Sequence, residues 1–168
     1  MRWPEACQFC ESPRPRSFAA LMDLYEHNYM RLRCLCPPLR NITGNYVSRA
    51  SGAHDLHLSI QEQTGHTTTL QMTYLMEDGE RRPDVTIHVY HDAVQAEVIS
   101  RRCRLGSEWL RSSDAGTDSA LLCRWQLNRF LYKWLNYCQR QGHRFDLLPE
   151  KTDRICVDAS PVCLEKLR

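Results

Sequence analysis

Residues 85–98 read Val-Thr-Ile-His-Val-Tyr-His-Asp-Ala-Val-Gln-Ala-Glu-Val, two alternating runs about a polar reversal. Val85, Ile87 and Val89 alternate with Thr86, His88 and Tyr90, the period of two that sets one side of a strand on a core and the other in water. A tight reversal near His91 and Asp92 follows. Val94, Ala96 and Val98 then repeat the alternation, so the stretch predicts a β-hairpin. Upstream, Leu56, Leu58 and Ile60 alternate with His57, Ser59 and Gln61; Gln63 to His66 supplies a turn, and residues 67–76 form a second strand able to pair antiparallel with the first. Glu77 to Pro83 is charged, holds Gly79 and a proline, and reads as a loop at the sheet edge. Asn41 to Gly52, with its glycines on either side of Tyr46 and Val47, allows one short strand.

Two helices flank these strands. Phe18, Leu21, Met22, Tyr25, Tyr29 and Leu32 recur at helical spacing between Ser17, a suitable N-cap, and the stop at Pro37-Pro38, predicting a helix over 17–34. Residues 104–117 collect Gly, Ser and Asp around Trp109 and Leu110 and read as a loop with room for a short edge strand. Asp118 is the expected cap of a second helix over 118–141, which carries Leu127, Phe130, Leu131, Trp134 and Cys138 on one side and Gly142 at its end. The class is α+β: an antiparallel sheet of four to five strands with an N-terminal and a C-terminal helix packed on one face. Residues 1–16 read as an irregular leader, 17–148 as a single α+β domain, and 149–168 as a tail or strap.

At 168 residues the chain suits one core, and 42% hydrophobic with 25% charged residues is the balance of a globular protein. No run approaches the roughly 18–20 apolar residues that cross a bilayer, and Met1 to Glu5 lacks an apolar signal core, so neither a membrane partner nor export is expected. The 9 cysteines are an odd number, which no complete set of internal disulfides satisfies. Cys123 and Cys138 fall inside a helical pattern, where thiols act as small apolar groups; together these point to a reducing, cytoplasmic compartment. A net charge of +2 argues against nucleic acid as a partner held by bulk electrostatics and leaves only local patches to consider. There is no glycine-rich phosphate loop, only 7 glycines in all, and no serine nucleophile elbow; no cofactor is expected.

Three stretches carry a family resemblance. Leu24-Tyr25-Glu26-His27-Asn28-Tyr29 with Arg31-Leu32 and Pro37 is the first. Thr67-Thr68-Thr69-Leu70 with Pro83, Val89-Tyr90-His91-Asp92-Ala93 and Ala96-Glu97-Val98 is the second, and its Tyr-His-Asp-Ala block is the most specific. The third is Gln126, Asn128, Phe130-Leu131 and Trp134-Leu135 with Cys138 and Gly142-His143. In this order, over residues 18–145, the chain resembles the YqiB-like proteins of proteobacteria, a domain of unknown function. It departs from their pattern between Trp109 and Cys123, where a Tyr-Pro-Asn segment and an Asp-Glu-Lys triplet are missing. The resemblance implies a small bacterial cytosolic protein and supplies no substrate, cofactor or reaction.

The hairpin is the first candidate site. Alternation puts His88 and Tyr90 opposite Val85, Ile87 and Val89, whereas His91 and Asp92 occupy a tip that can aim side chains at a ligand. Tyr90, His91, Asp92 and Glu97 are therefore ligand-binding candidates, since an imidazole beside a carboxylate can act as a base or bind metal. Turn aspartates commonly bond their own backbone, and Tyr and His are ordinary occupants of an outer sheet face, so a structural role carries more weight. Asn28 and Asn128, on the two helices, are further candidates; buried amides often tie a helix to a strand backbone, and that bracing outweighs a ligand contact.

Cys7-x-x-Cys10 with Cys34-x-Cys36 offers four thiolates for zinc, but the Cys-x-Cys half is tighter than the usual spacing, and no metal is expected. Arg129, Lys133, Arg140 and Arg144 recur at helical intervals as a basic stripe that suits nucleic acid or an acidic protein, although no aromatic-rich strand signature accompanies it. The expectation is a non-catalytic binding or regulatory module for a protein or small ligand, with no catalytic residue assigned. The alternative is a small metal-assisted hydrolase using His88, His91, Asp92 and Glu97. A weaker alternative is nucleic-acid binding through the stripe.

Overall fold

The computed structural model describes residues 16–99 and 115–146. The expected leader and tail, the loop around Trp109, and Cys7 and Cys10 lie outside the described residues. Five strands, β1 (Asn45–Ser48), β2 (Leu56–Gln63), β3 (Thr67–Leu75), β4 (Arg81–Tyr90) and β5 (Gln95–Val98), form one antiparallel sheet in the order β1-β2-β3-β4-β5. Helices α1 (Phe18–Leu35) and α2 (Ala115–Arg140) form the second layer.

Local chemistry fixes the ends of these elements. Ser17 Oγ accepts from Ala20 N at 3.2 Å and caps α1. Cys36 N still donates to Leu32 O at 2.8 Å, and the two prolines then end the helix. Gly142, at φ +89°, ends α2: its N–H donates to Gln139 O at 3.0 Å and His143 N to Cys138 O at 3.0 Å, the double bond of a glycine C-cap. Phe145 N then donates to Leu35 O at 2.7 Å, which ties the chain after α2 to the end of α1.

The alternation places Leu56, Leu58, Leu70, Met72, Val85, Ile87, Val89 and Ala96 on the face under the helices, all buried. Leu58, Val89 and Trp134, from three separate elements, meet in one cluster with α1 residues Leu32 and Leu35. Removing any one of these large side chains costs about 2–5 kcal/mol.

Three sequence expectations need correction. The 77–83 loop is a turn from which β4 starts at Arg81, because Leu75 pairs with Arg81 across Gly79 at φ +79°. Helix α2 begins at Ala115, upstream of the expected cap Asp118. Cys123 is disulfide-bonded, while Cys34, Cys36 and Cys138 are free.

Candidate functional site on the open sheet face

Among the described residues both helices pack over one side of the sheet, and the other face is left open except at edge strand β5, where Tyr25 of α1 and Arg124 of α2 reach Glu97. Its cross-strand rungs follow from the register. Val47, His57, Thr73 and Asp84 stand in one row, Asn45, Ser59, Gln71 and Thr86 in the next, and Thr69, His88 and Glu97 in a third. The face is almost wholly polar, and its side chains bond to one another rather than only to water. Ser59 Oγ donates to Asn45 Oδ1 at 2.6 Å, and Gln71 Nε2 to Asp84 Oδ1 at 2.8 Å. Thr69 Oγ1 and His88 Nδ1 lie 2.9 Å apart.

Where β1, β2 and β3 carry this face, a cavity of about 460 Å³ opens, lined among others by Asn45, Val47, His57, Ser59, Gln71 and Arg81. That volume falls in the range of small-ligand pockets, about 300–1,000 Å³. The ring atom His57 Nε2 is buried and has no hydrogen-bond partner among the described residues. Buried polar atoms are nearly always paired, so an unpaired one on a cavity-lining residue marks a hydrogen bond that a ligand atom supplies once the His57 ring turns toward the cavity.

At the other end of the face, Tyr90 OH donates to Glu97 Oε1 at 2.9 Å, and Arg124 of α2 pairs with Glu97 Oε2 at 3.3 Å. The His88 and Tyr90 rings stand 4.7 Å apart. Tyr25 of α1 brings a buried hydroxyl beside the same carboxylate without a hydrogen bond of good geometry. Burial first, and the neighbouring Glu97 second, hold both phenols, Tyr25 and Tyr90, above the ordinary range. They stay protonated as donors and neighbours of a carboxylate already neutralised by Arg124. The arrangement is a hydrogen-bonded clasp and contains no free acid–base pair.

The remaining sequence candidates separate. His91, expected at the loop tip, is 1% exposed and turned beneath the sheet, with Nε2 2.7 Å from Thr68 Oγ1 and Nδ1 without a hydrogen-bond partner among the described residues. Burial first, then Arg40 and Arg33, lower its pKa below the ordinary 6.5. Asp92 stays on the turn, paired with His66 and 3.8 Å from Arg40 Nη2, and Arg40 donates to His91 O at 3.0 Å. His88 and Glu97 thus share the open face, His91 the opposite side and Asp92 the rim, so the four groups of the hydrolase alternative do not converge.

Asn28 and Asn128 meet at the edge of the sheet. Asn28 Nδ2 donates to Asn128 O at 3.2 Å, Asn128 Oδ1 accepts from Val98 N at 3.0 Å, and Asn128 Nδ2 donates to Arg124 O at 2.9 Å. Both amides are fully buried, and Asn128 takes up an outward-pointing N–H of edge strand β5.

Arg129, Lys133 and Arg140 are exposed on α2. Arg144 is not on the helix; it follows Gly142 and pairs with Asp146. Phe130, expected on the apolar side, is 43% exposed and stacks on Trp134. Cys34 is exposed and Cys36 buried, as i, i+2 placement at a helix end dictates. Among the described residues no group of three or more His, Cys, Asp or Glu could hold a metal ion. Sequence reasoning missed Arg124, Tyr25 and His57; only the pairing of His57 with Thr73 and Val47 signals the last.

Residues 31–144 match the family model described as "Protein of unknown function (DUF1249)". The chain is 31% identical over 131 residues to "Uncharacterized protein YqiB" of Escherichia coli strain K12, which covers 74% of this chain and 90% of that protein. The YqiB proteins of strains O6:H1 and O157:H7 give the same figures. No solved structure matches the chain. Among the described residues no helix is long and apolar enough to cross a membrane.

Proposed function

The chain belongs to the DUF1249 family of proteins of unknown function, and from that premise we propose that it is a non-catalytic binding module whose open sheet face takes a small polar ligand. The observation that carries this reading is the cavity of about 460 Å³ lined by His57, with Nε2 buried and unpaired. Asn45, Ser59 and Gln71 offer donors and acceptors, Val47 an apolar contact, and Arg81 a cation at the rim. That mixture suits a molecule with several hydrogen-bonding groups and one anionic end. A cytoplasmic location belongs to the same reading, supported by the free thiols of Cys34, Cys36 and Cys138 and opposed by the disulfide at Cys123.

The test is a thermal-shift screen of small carboxylates, amides and sugars, followed by nuclear magnetic resonance of the His57 ring. A ligand at about 100 times its Kd adds about 2.7 kcal/mol and raises Tm measurably. His57→Ala and Ser59→Trp should each abolish that shift while leaving the free protein folded. If no probe moves both Tm and the His57 ring signals, or if Ser59→Trp leaves binding intact, the sheet-face reading fails.

A further inference from the structure

On a different surface, we propose that the solvent side of α2 docks single-stranded nucleic acid, its phosphates on a row of cations and its bases on two exposed rings. Between residues 119 and 145 the chain carries Arg124, Arg129, Lys133, Arg140 and Arg144 and no aspartate or glutamate. Glu97 engages Arg124 and Asp146 engages Arg144, but Arg129, Lys133 and Arg140 are exposed and make no ion pair among the described residues.

Helical geometry arranges them. At about 100° per residue, Arg129, Arg140 and Lys133 fall within about 40° of one another, and Tyr137 and Phe130 follow at about 80° and about 100° from Arg129. Phe130 is 43% and Tyr137 52% exposed. Asn128, Tyr132 and Gln139 face α1, while Leu131, Leu135 and Cys138 enter the core, so neither described layer covers the cation and ring rows. The Phe130 ring is held in place by stacking on Trp134, centroids 6.1 Å apart at 18°.

Cations alone fit any polyanion, and exposed rings alone fit any apolar partner. A cation row running beside a ring row fits a strand whose phosphates lie along one edge and whose unpaired bases splay to the other. A duplex offers the phosphates and hides the base faces. Phe130 and Tyr137 are about 10 Å apart along the axis, the span of about three nucleotides stacked at about 3.4 Å each. The net charge of +2 concealed this patch because the acidic residues lie elsewhere in the chain.

The experiment is fluorescence anisotropy of the full chain with labelled oligothymidine and oligouridine of about 15 nucleotides, the corresponding duplexes, and phosphatidylglycerol vesicles. Single strands should bind ahead of duplex and vesicles, with a log–log salt slope of about −2 for three phosphate contacts. Tyr137→Ala should weaken binding about tenfold, Phe130→Ala/Tyr137→Ala more, and Arg129→Glu/Lys133→Glu should abolish it, with circular dichroism unchanged. Tyr137→Ala decides the case if Phe130→Ala loosens the helix, because Tyr137 is half exposed. No binding at about 50 mM salt overturns the proposal. So does equal affinity for duplex, indifference to Tyr137→Ala, or preference for the vesicles.

Discussion

Asn128→Ala removes the acceptor that holds Val98 N–H and the longer, 3.4 Å contact of the Asn28 amide, and nothing in the alanine replaces either. Each buried polar group left unpaired costs about 1–3 kcal/mol. Val98 is only partly buried, so water recovers some of its share; Asn28 keeps its 3.2 Å bond to the Asn128 backbone carbonyl and loses only the weaker contact. The sum is about 2 kcal/mol. For a domain of this size each kcal/mol moves Tm by about 4 °C, so the variant should melt about 8 °C lower. Urea unfolding should show a lower midpoint with an unchanged m-value, because the surface exposed on unfolding is the same. Hydrogen exchange should identify the cause, with the Val98 amide losing protection while that of Ile87 in the neighbouring strand keeps its own. Asn128→Asp keeps an oxygen for Val98 but buries a carboxylate; it should destabilise the protein and preserve Val98 protection. A double-mutant cycle with Asn28→Ala should return a coupling of about 1 kcal/mol or more. If Asn128→Ala costs less than about 0.5 kcal/mol with Val98 exchange unaltered, the bracket does not hold the edge.

Two further outcomes are expected. His91 and His143 are buried and their pKa values lie below 6.5, with burial the leading cause for both. The unfolded chain therefore takes up protons first, so stability is complete above about pH 6.5 and falls as the pH drops through the folded values, by up to about 1.4 kcal/mol per pH unit per histidine. Melting between pH 8 and pH 5 should show this decline, and His143→Gln should flatten part of it; a Tm independent of pH there would refute the assignment. Burial pushes the Cys36 thiol up to about 12 and the Cys138 thiol up to about 11, while Cys34 is exposed. Iodoacetamide at about pH 8 should label Cys34 in the native protein and reach Cys36 and Cys138 only after unfolding, as peptide mass spectrometry can check; equal native labelling of Cys36 would contradict its burial.

The strands were legible because Leu56-x-Leu58 and Val85-x-Ile87-x-Val89 keep the period of two without interruption, and α1 because Ser17 and the prolines bracket its apolar repeat. The site was legible only in part. Local alternation put His88 and Tyr90 on the open face correctly, but a turn residue such as His91 obeys no period, and its imidazole folded back to Thr68. Arg124 reaches Glu97 because β5 is an edge strand beneath both helices, a neighbourhood created by residues 27 positions apart. The His57 cavity likewise needs three strands in register. Such meetings depend on tertiary pairing, which no short window of sequence contains.

The strictly sequential strand order carries a consequence for biosynthesis. Each strand pairs with the one made just before it, so the meander can close as the chain emerges. The helical layer cannot, because Asn28 must await Asn128, made 100 residues later. Until α2 is released, half of the apolar ceiling over Leu58, Met72 and Ile87 is absent, and the nascent domain presents a sticky surface to chaperones and neighbouring chains. A ribosome stalled before residue 140 would hold a finished meander with an unfinished roof.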